Sequence, residues 1–499
     1  MNATAVPASA ARRALAGLSL SMLLSALGTS IAPVALPTLA HAFSASFQEV
    51  QWVVLAHLLA VTALVVGAGR LGDLVGRRRL LLAGTALFTG ASVLCGAANS
   101  LWLLIGARAA QGVGAAVMMA LTMAFVGEVV PKARAGRAMG LLGTMSAVGT
   151  ALGPSLGGAL IAGPGWRALF FVNLPLGVLT LFLVRRHLPA DRPRGAGTGA
   201  LRVRFDIVGT LLLAVALAAY ALAMTLGREG SGLLRTALLL SAALGAALFI
   251  RSQARTASPL VPRAVLRAPR LRGGLATSAL VSTVMMTTLV VGPFQLSRAL
   301  GLDAALTGFL LAVGPLVAAV TGVPAGRLAD RFGAPRTTLL GLATMAAGAL
   351  VLSVAPVGFG VVGYVAPLAV LTAGYAVFQT ANNTAVMADV PPDRRGVASG
   401  VLGLARNLGL VTGASVMGAL FALAASAGDV ATASPAAVAA ATRITFAVAA
   451  ALVLLALAVA AYGRPRTGAG RTAGLTPPRD PAGDGTAARP GTGATRPGS

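Results

Sequence analysis

The chain has 499 residues, of which 57% are hydrophobic and only 10% charged, and its mean hydropathy is +0.84. This balance excludes an ordinary soluble domain. The net charge of +26 is spread over short loops and does not gather on one face, so we expect no nucleic acid partner. Cys95 is the only cysteine, which excludes disulfides within the chain and thiolate metal clusters.

Fourteen apolar runs follow one another along the chain, each long enough to cross a hydrocarbon core of about 30 Å as a helix of roughly 20 residues. The first run is too long for the apolar part of a signal peptide, so we predict an uncleaved helix. The sequence therefore predicts an all-α membrane protein surrounded by the lipid bilayer. Helices one to fourteen are predicted at 14–38, 52–69, 80–97, 101–126, 138–162, 167–184, 205–226, 233–251, 273–297, 304–323, 337–354, 362–387, 397–424 and 443–462.

The loops between these helices differ in their content of basic residues. On one side the loops and both termini carry 32 arginines and lysines, whereas the loops on the other side carry five. Because basic residues stay on the cytoplasmic side, both termini are predicted to be cytoplasmic, which requires an even number of helices. Arginine replaces lysine almost everywhere, as in GC-rich bacterial genomes, so we expect a bacterial plasma membrane.

One charged segment occurs twice, each time between two apolar runs. Residues 69–79 read GRLGDLVGRRR, and residues 326–336, 257 positions later, read GRLADRFGAPR. The duplication indicates two related helical halves. Since the copies follow helix two and helix ten, two helices are inserted between six-helix halves. We predict an N-terminal half at 1–184, a loop with two inserted helices at 185–272, a C-terminal half at 273–462 and a disordered cytoplasmic tail at 463–499.

Glycines in the repeated loop allow two helices to approach and turn sharply, and Asp73 is predicted near the start of helix three, where a carboxylate suits the helix dipole. The loop resembles the signature loop of the major facilitator superfamily, although Leu74 stands where that family usually has a basic residue. A bland alternative is that the arginines only set the topology. The resemblance implies a major facilitator fold with a cytoplasmic conformational latch formed by Gly69, Asp73, Gly76, Arg77, Gly326, Asp330, Arg331 and Gly333.

Helix five has small residues at successive turns, which give one helix face a smooth surface for a neighbouring helix, and a proline that allows a kink. Simple helix packing would explain this pattern. The run also resembles a motif found in the antiporters of the family and absent from most of its symporters, which favours export over uptake. The residues of this antiporter motif are Gly149, Gly153, Pro154, Gly157 and Gly158.

Two arginines are predicted inside membrane helices. Arg108, followed by Gln111 one turn later, resembles the fourth-helix motif of the family and is predicted roughly 10 Å inside the membrane boundary. A charge at that depth costs at least about 2.5–3.5 kcal/mol, so a functional role is the default interpretation and outward snorkelling the alternative. Arg406 in helix thirteen is predicted to be deeper, and snorkelling explains it less well.

Helix one departs from the fourteen-helix drug:proton antiporter branch, whose first helix usually carries an aspartate and an asparagine. Gly28 and Pro33 stand at those two positions, and the predicted helix cores contain no acidic residue. The remaining candidates for proton coupling are His57 and Glu128 near the inner mouth. Histidine is a candidate because imidazole groups titrate near neutral pH. The alternatives are a packed histidine and an ordinary interfacial charge.

Helix twelve carries three amides at i, i+3 and i+4, which places them on one helix face. These residues, Gln379, Asn382 and Asn383, either bind substrate or hold helices together. The amides complete the set of candidate coupling and substrate residues.

The resemblance implies a secondary transporter that exports drugs, antibiotics or similar amphiphiles by proton antiport. Its expected partners are a small-molecule substrate, protons and the bilayer, and we expect a monomer that needs no cofactor or metal besides the proton gradient. Because the buried charges are positive, neutral or anionic substrates are expected to be preferred over dications. The alternative is an uptake permease or facilitator for a small metabolite. A membrane enzyme is not expected, because no nucleophile–base pair or phosphate loop occurs.

Overall fold

In the part of the chain that the computed structural model describes, fourteen helices are long and apolar enough to cross a membrane, which confirms the predicted number and fold class. The structure describes residues 8–130, 135–189, 191, 206–225, 232–256, 269–388, 395–425, 430 and 432–462, and within them no strand occurs. We number the spans α1 (Arg12–Ala42), α2 (Phe47–Val75), α3 (Arg77–Ala97), α4 (Leu101–Val126), α5 (Leu141–Ala162), α6 (Ala168–His187), α7 (Ile207–Thr225), α8 (Gly232–Arg255), α9 (Leu271–Ala299), α10 (Ala304–Phe332), α11 (Ala334–Val354), α12 (Gly360–Met387), α13 (Gly400–Ala424) and α14 (Pro435–Tyr462). The predicted tail at 463–499 lies outside the described residues.

Four spans are not regular helices throughout. The span α6 consists of two helices, Ala168–Phe171 and Asn173–His187, that are separated at Val172. In α1 the helix Ala8–Ser30 gives way to a 3₁₀ turn at Pro33–Ala35 and resumes at Leu36–Ala42, because Pro33 and Pro37 lack backbone N–H donors. The predicted continuous helix at 14–38 is therefore broken. In α9 and α13, π turns occur at Gln295–Ala299 and Gly413–Met417. Helical structure extends past the apolar windows of α4, α5 and α12, to Leu101–Val129, Ala135–Ala162 and Gly360–Ala388.

The two sets of six spans pack internally in the same way. In the first set α1 packs on α5 and α6, α2 on α4, and α3 on α4 and α6. In the second set α9 packs on α13 and α14, α10 on α12, and α11 on α12 and α14, so every pairing recurs eight spans later. Two further pairings, α5 with α10 and α2 with α13, join the sets. Replacing each span of one pairing by its equivalent in the other set gives the other pairing. The second set of six spans therefore repeats the packing of the first.

The inserted hairpin of α7 and α8 attaches to the rest of the bundle through contacts of α7 with α2 and α13. Trp52 in α2 donates its indole N–H to the hydroxyl of Thr225 at 3.1 Å. At the other end of the hairpin, Asp206 accepts hydrogen bonds from the backbone of Gly209 at 2.8 Å and from the side chain of Gln253 at 2.6 Å. One carboxylate thus caps α7 and holds α8 to it.

The sets of spans meet through polar and aromatic side chains at the end of the bundle opposite the repeated loops, which we call the far end. The ring of Phe47 lies 5.1 Å from that of Phe294 and 5.9 Å from that of Phe421, between ring centroids. Gln51 donates to the carbonyl of Ala414 in α13. His41 and Arg298 are also in hydrogen-bond contact there.

Candidate functional site

Arg108 is completely buried in the first half of α4. Its Nε donates to the carbonyl of Val53 in α2 at 2.9 Å, and its Nη1 donates to the carbonyl of Gly28 in α1 at 3.0 Å. Nη1 also donates to Oε1 of Gln111. The side chain therefore turns inward to three neutral acceptors, and the predicted alternative of outward snorkelling is wrong.

Neutral polar groups extend this arrangement over four spans. Nε2 of Gln111 donates to the hydroxyl of Ser92 in α3 at 2.6 Å, and the hydroxyl of Thr29 lies 3.4 Å from Nε2 of His57. Two nitrogens, Nη2 of Arg108 and Nδ1 of His57, are buried without a hydrogen-bond partner among the described residues. We refer to the whole group as the Arg108 cluster, which comprises Gly28, Thr29, His57, Ser92, Arg108 and Gln111.

His57 lies deeper in the bundle than the sequence predicts. The helix of α2 begins at Phe47 and not at residue 52, because Ser46 and Glu49 form a reciprocal capping box at its start. His57 is therefore ten residues into the helix, or about 15 Å at 1.5 Å per residue. Its burial is complete, and it joins the Arg108 cluster.

Gly28 explains how the cluster closes without an acidic residue. A Cβ atom at this position would lie 3.0 Å from the ring of Phe88 and 3.8 Å from Cε1 of His57. The place of a side chain in α1 is thus occupied by an aromatic ring and an imidazole. Acidic side chains of the described spans lie at helix ends, as with Glu49 and Asp73. Glu128 lies in the last turn of the α4 helix, but its side chain is outside the described residues.

The candidates in the second half do not form a comparable cluster. Asn382 is buried and donates to the carbonyl of Gly274 in α9 at 3.2 Å, so its observed role is to hold α12 against α9. Gln379 and Asn383 on the same face are half-buried. Arg406 is half-buried in α13, and the structure gives it no hydrogen bond or ion pair with a described residue.

The first repeated loop is held by two carboxylates. Asp73 lies in the last turn of α2, not at the start of α3 as predicted, and pairs with Arg77 across the turn at 2.8 Å. The helix-dipole position at the start of α3 belongs to Asp191, which accepts from the backbone N–H groups of Arg78 at 2.9 Å and Arg79 at 3.1 Å. Sequence reasoning missed Asp191, because it follows α6 and is more than 110 residues away.

Gly76 makes this arrangement feasible. Its φ is +107°, and a Cβ atom would lie 2.5 Å from Oδ2 of Asp191, so the turn requires glycine for both conformation and space. At Gly69 a Cβ atom would meet nothing within 4 Å. The predicted latch glycines therefore differ: Gly76 is sterically required, and Gly69 is not.

The second repeated loop has the same backbone turn, but its aspartate lacks the ion-pair partner that Asp73 has in the first loop. Gly333 has φ +81°, with only Pro335 nearby, and Gly326 has open space. Asp330 is exposed and has no ion pair with a described residue. Arg331 stacks on the ring of Phe332, with Cζ 5.3 Å from the ring centroid.

The antiporter motif of α5 touches both sets of spans. A Cβ atom on Gly149 would lie 2.5 Å from the carbonyl of Leu23 in α1, and one on Gly153 would lie 2.0 Å from the hydroxyl of Ser30. On the other side, a Cβ atom on Gly158 would lie 2.5 Å from the carbonyl of Ala304 in α10. We call this contact surface the α5 seam; Gly157, next to Val34, and Pro154, whose carbonyl approaches Gly308, complete it.

The contacts at the far end add residues that sequence reasoning did not select. Gln51 is fully buried and joins the two sets of spans, and Phe47 is one of three aromatic rings in mutual contact. The sequence offered no clear signal for Gln51, because Gln48 and Glu49 precede it closely. No group of three or more potential metal ligands occurs among the described residues.

Comparison with known proteins agrees with this architecture. The model of the Major Facilitator Superfamily matches residues 18–414 and 275–490. The chain belongs to the Major Facilitator Superfamily, a family of membrane transporters. A bacterial homologue of the human lysosomal transporter Spinster, in an inward-facing conformation, has the same fold, with a TM-score of 0.65 and 16% identity over 93% of this chain and 100% of that chain.

Sequence relatives include multidrug transporters. The uncharacterized transporter YebQ of Escherichia coli is 34% identical over 78% of this chain and 84% of its own length. The multidrug resistance protein Stp of Mycobacterium tuberculosis is 33% identical over 81% of this chain and 74% of its own. The riboflavin transporter RibZ of Clostridioides difficile is 28% identical over 81% and 86%. The resemblance to the multidrug branch is thereby confirmed.

Proposed function

We propose that the chain exports amphiphilic small molecules, such as drugs or antibiotics, from the bacterial cytoplasm in exchange for protons. The observation that carries the proposal is the α5 seam, where Gly153 approaches α1 and Gly158 approaches α10 at backbone distance. Small residues let the helix backbones of the two halves approach closely, and in our proposal the halves move along this seam during export. The similarity to Stp, named a multidrug resistance protein, supports the same substrate class.

We assign proton coupling to His57, with Glu128 as the second candidate. His57 is buried in the Arg108 cluster, and its Nδ1 has no partner among the described residues. A histidine can carry a proton near neutral pH, and a change of its charge beside buried Arg108 would alter the cluster's electrostatics strongly. The energy source is the proton gradient, without a cofactor.

The proposed setting is a monomer in the cytoplasmic membrane with both termini inside the cell. The far end then faces outward and the repeated loops face the cytoplasm, in line with the distribution of basic residues. A reporter fused after Ser499 is expected to be active only as a cytoplasmic fusion. Activity of a periplasmic reporter at this position would reverse the assignment.

A second candidate function is uptake or facilitated passage of a small metabolite. Two observations favour it: the similarity to the riboflavin transporter RibZ, and the absence of an acidic side chain from the described interiors of the first four spans. The two functions predict opposite effects on accumulation of the transported compound.

The test is accumulation of a fluorescent amphiphile in cells with and without the chain, each with and without an uncoupler. Proton-driven export predicts lower accumulation in expressing cells and loss of that difference with the uncoupler. The variant Gly158→Leu, which fills the α5 seam, should abolish export, whereas Gly163→Ala, where a Cβ atom meets only the carbonyl of Ala159 at 3.5 Å, is the matched control. Higher accumulation in expressing cells would replace export by uptake.

A further inference from the structure

Arg108 is a completely buried cation whose described hydrogen-bond partners carry no negative charge. Nε and Nη1 donate to two backbone carbonyls and to the amide of Gln111. Nη2 is buried and has no partner among the described residues, although guanidinium nitrogens are strong donors. The ring of Phe170 has its centroid 6.0 Å from Cζ. The Nη2 group of the guanidinium therefore makes no hydrogen bond with a described residue.

The described carboxylates of the first half are engaged elsewhere. Glu49 accepts from the backbone and hydroxyl of Ser46 at the far end, and Asp73 is paired with Arg77 at the loop end. Asp191 caps α3 at that same end. Buried charges in proteins are normally paired, so the cluster lacks a counter-ion from the described part of its own half.

We propose that Nη2 of Arg108 binds a monovalent anion, either the acidic group of an exported amphiphile or a small inorganic anion such as chloride. The planar guanidinium fork suits carboxylate and sulfonate oxygens, and a dehydrated site strengthens the attraction. His57 lines the same part of α1: its Cε1 would lie 3.8 Å from a Cβ atom on Gly28, whose carbonyl Arg108 binds.

The inference rests on the proposed export only for the route by which a substrate's acidic group reaches Arg108. Binding itself is measured on the purified protein. If the protein binds the anion but does not lower cellular accumulation, the anion site stands and the export function is refuted. If the protein exports but binds no anion, the export function stands and the anion site is refuted.

Gly28 offers a test within the site. The variant Gly28→Asp places a carboxylate beside Arg108 and His57 and supplies the missing charge from within the chain. The variant Gly28→Asn has the same shape and meets the same ring of Phe88 at 3.0 Å from its Cβ, but it has no charge. The pair therefore separates charge from steric disturbance.

The experiment measures thermal unfolding of the full chain in detergent. Sodium chloride replaces sodium gluconate at constant ionic strength, and in a second arm hexyl sulfonate is compared with hexyl trimethylammonium. We expect a saturating rise of about 2 °C with chloride, with the sulfonate or with both, and none with the cation. A response to chloride alone assigns an inorganic ion, and a response to the sulfonate alone assigns the acidic group of a substrate.

The variants decide whether the response comes from Arg108. Arg108→Gln and Gly28→Asp should abolish the rise, and Gly28→Asn should reduce it less than Gly28→Asp does. An unchanged rise in Arg108→Gln, or no saturating rise with either anion in the parent chain, would overturn the proposal. If Arg108→Gln does not fold, equal responses of the Gly28→Asp and Gly28→Asn variants would overturn it as well.

Discussion

The two copies of the repeated loop share a backbone turn but not the contacts that hold it. In the first copy, Asp73 pairs with Arg77 and Asp191 accepts two backbone N–H groups at the start of α3. In the second copy, Ala334 stands where Arg77 does, and Asp330 has no ion pair with a described residue. One sequence motif thus forms a turn with an ion pair in the first copy and a turn without an ion pair among the described residues in the second.

The difference follows from single residues at equivalent positions. Pro335 stands at the position of Arg78, so α11 lacks one of the two backbone donors that Asp191 uses on α3. The turn of the second copy is closed by Thr337, whose hydroxyl donates to the carbonyls of Gly333 at 3.0 Å and Leu328 at 3.2 Å. A repeated motif therefore indicates a repeated backbone turn, whereas the side chains that stabilise the turn differ between the two copies.

The largest expected difference between the loops comes from their turn glycines. Gly76→Ala and Gly333→Ala both place a side chain at positive φ, which costs roughly 1–3 kcal/mol. Gly76→Ala also drives a methyl group into Asp191 and should lose about a further 1 kcal/mol of capping. Thermal unfolding of the purified variants should give the lower midpoint for Gly76→Ala, and equal midpoints would show that Asp191 does not constrain the loop.

Asp191 itself should account for the next largest effect. Asp191→Ala removes the cap of α3 and is expected to destabilise the protein by about 0.5–2 kcal/mol, measured as a lowered unfolding midpoint. Asp191→Asn keeps one carbonyl acceptor and should lose less. If the asparagine variant is as unstable as the alanine variant, the charge of Asp191 rather than its hydrogen bonds stabilises the junction.

The aspartates of the two loops should differ in transport more than in stability. Asp73→Asn removes an ion pair between partly exposed side chains, which contributes at most about 1 kcal/mol, so membrane abundance should stay near normal. If the first loop is the latch, export should fall clearly in Asp73→Asn and less in Asp330→Asn, measured as dye efflux at matched abundance. A stronger loss in Asp330→Asn would place the latch in the second loop.

The smallest effect is expected from making the second loop resemble the first. Ala334→Arg supplies a partner four residues after Asp330, as Arg77 is for Asp73, and should raise stability by at most about 0.5 kcal/mol. Ala334→Gln controls for side-chain length without charge. A gain that survives in high salt would contradict an ionic origin, because exposed ion pairs are screened.

The sequence by itself determined the fourteen spans, the repeated loop and the small-residue face of α5. These are local properties: apolar length, repeated letters and spacing along one helix are visible without a neighbour. It also indicated Arg108, because a charge inside an apolar run is conspicuous wherever the chain folds.

Only the tertiary structure decided which groups meet. Gly28, His57 and Arg108 lie on three different spans, and Asp191 reaches α3 from beyond α6. The inward turn of Arg108 and the unpaired Nη2 depend on carbonyls of α1 and α2 that no spacing rule points to. Hydrogen-bond partners between distant segments follow from how the helices pack, and packing depends on all of their surfaces at once.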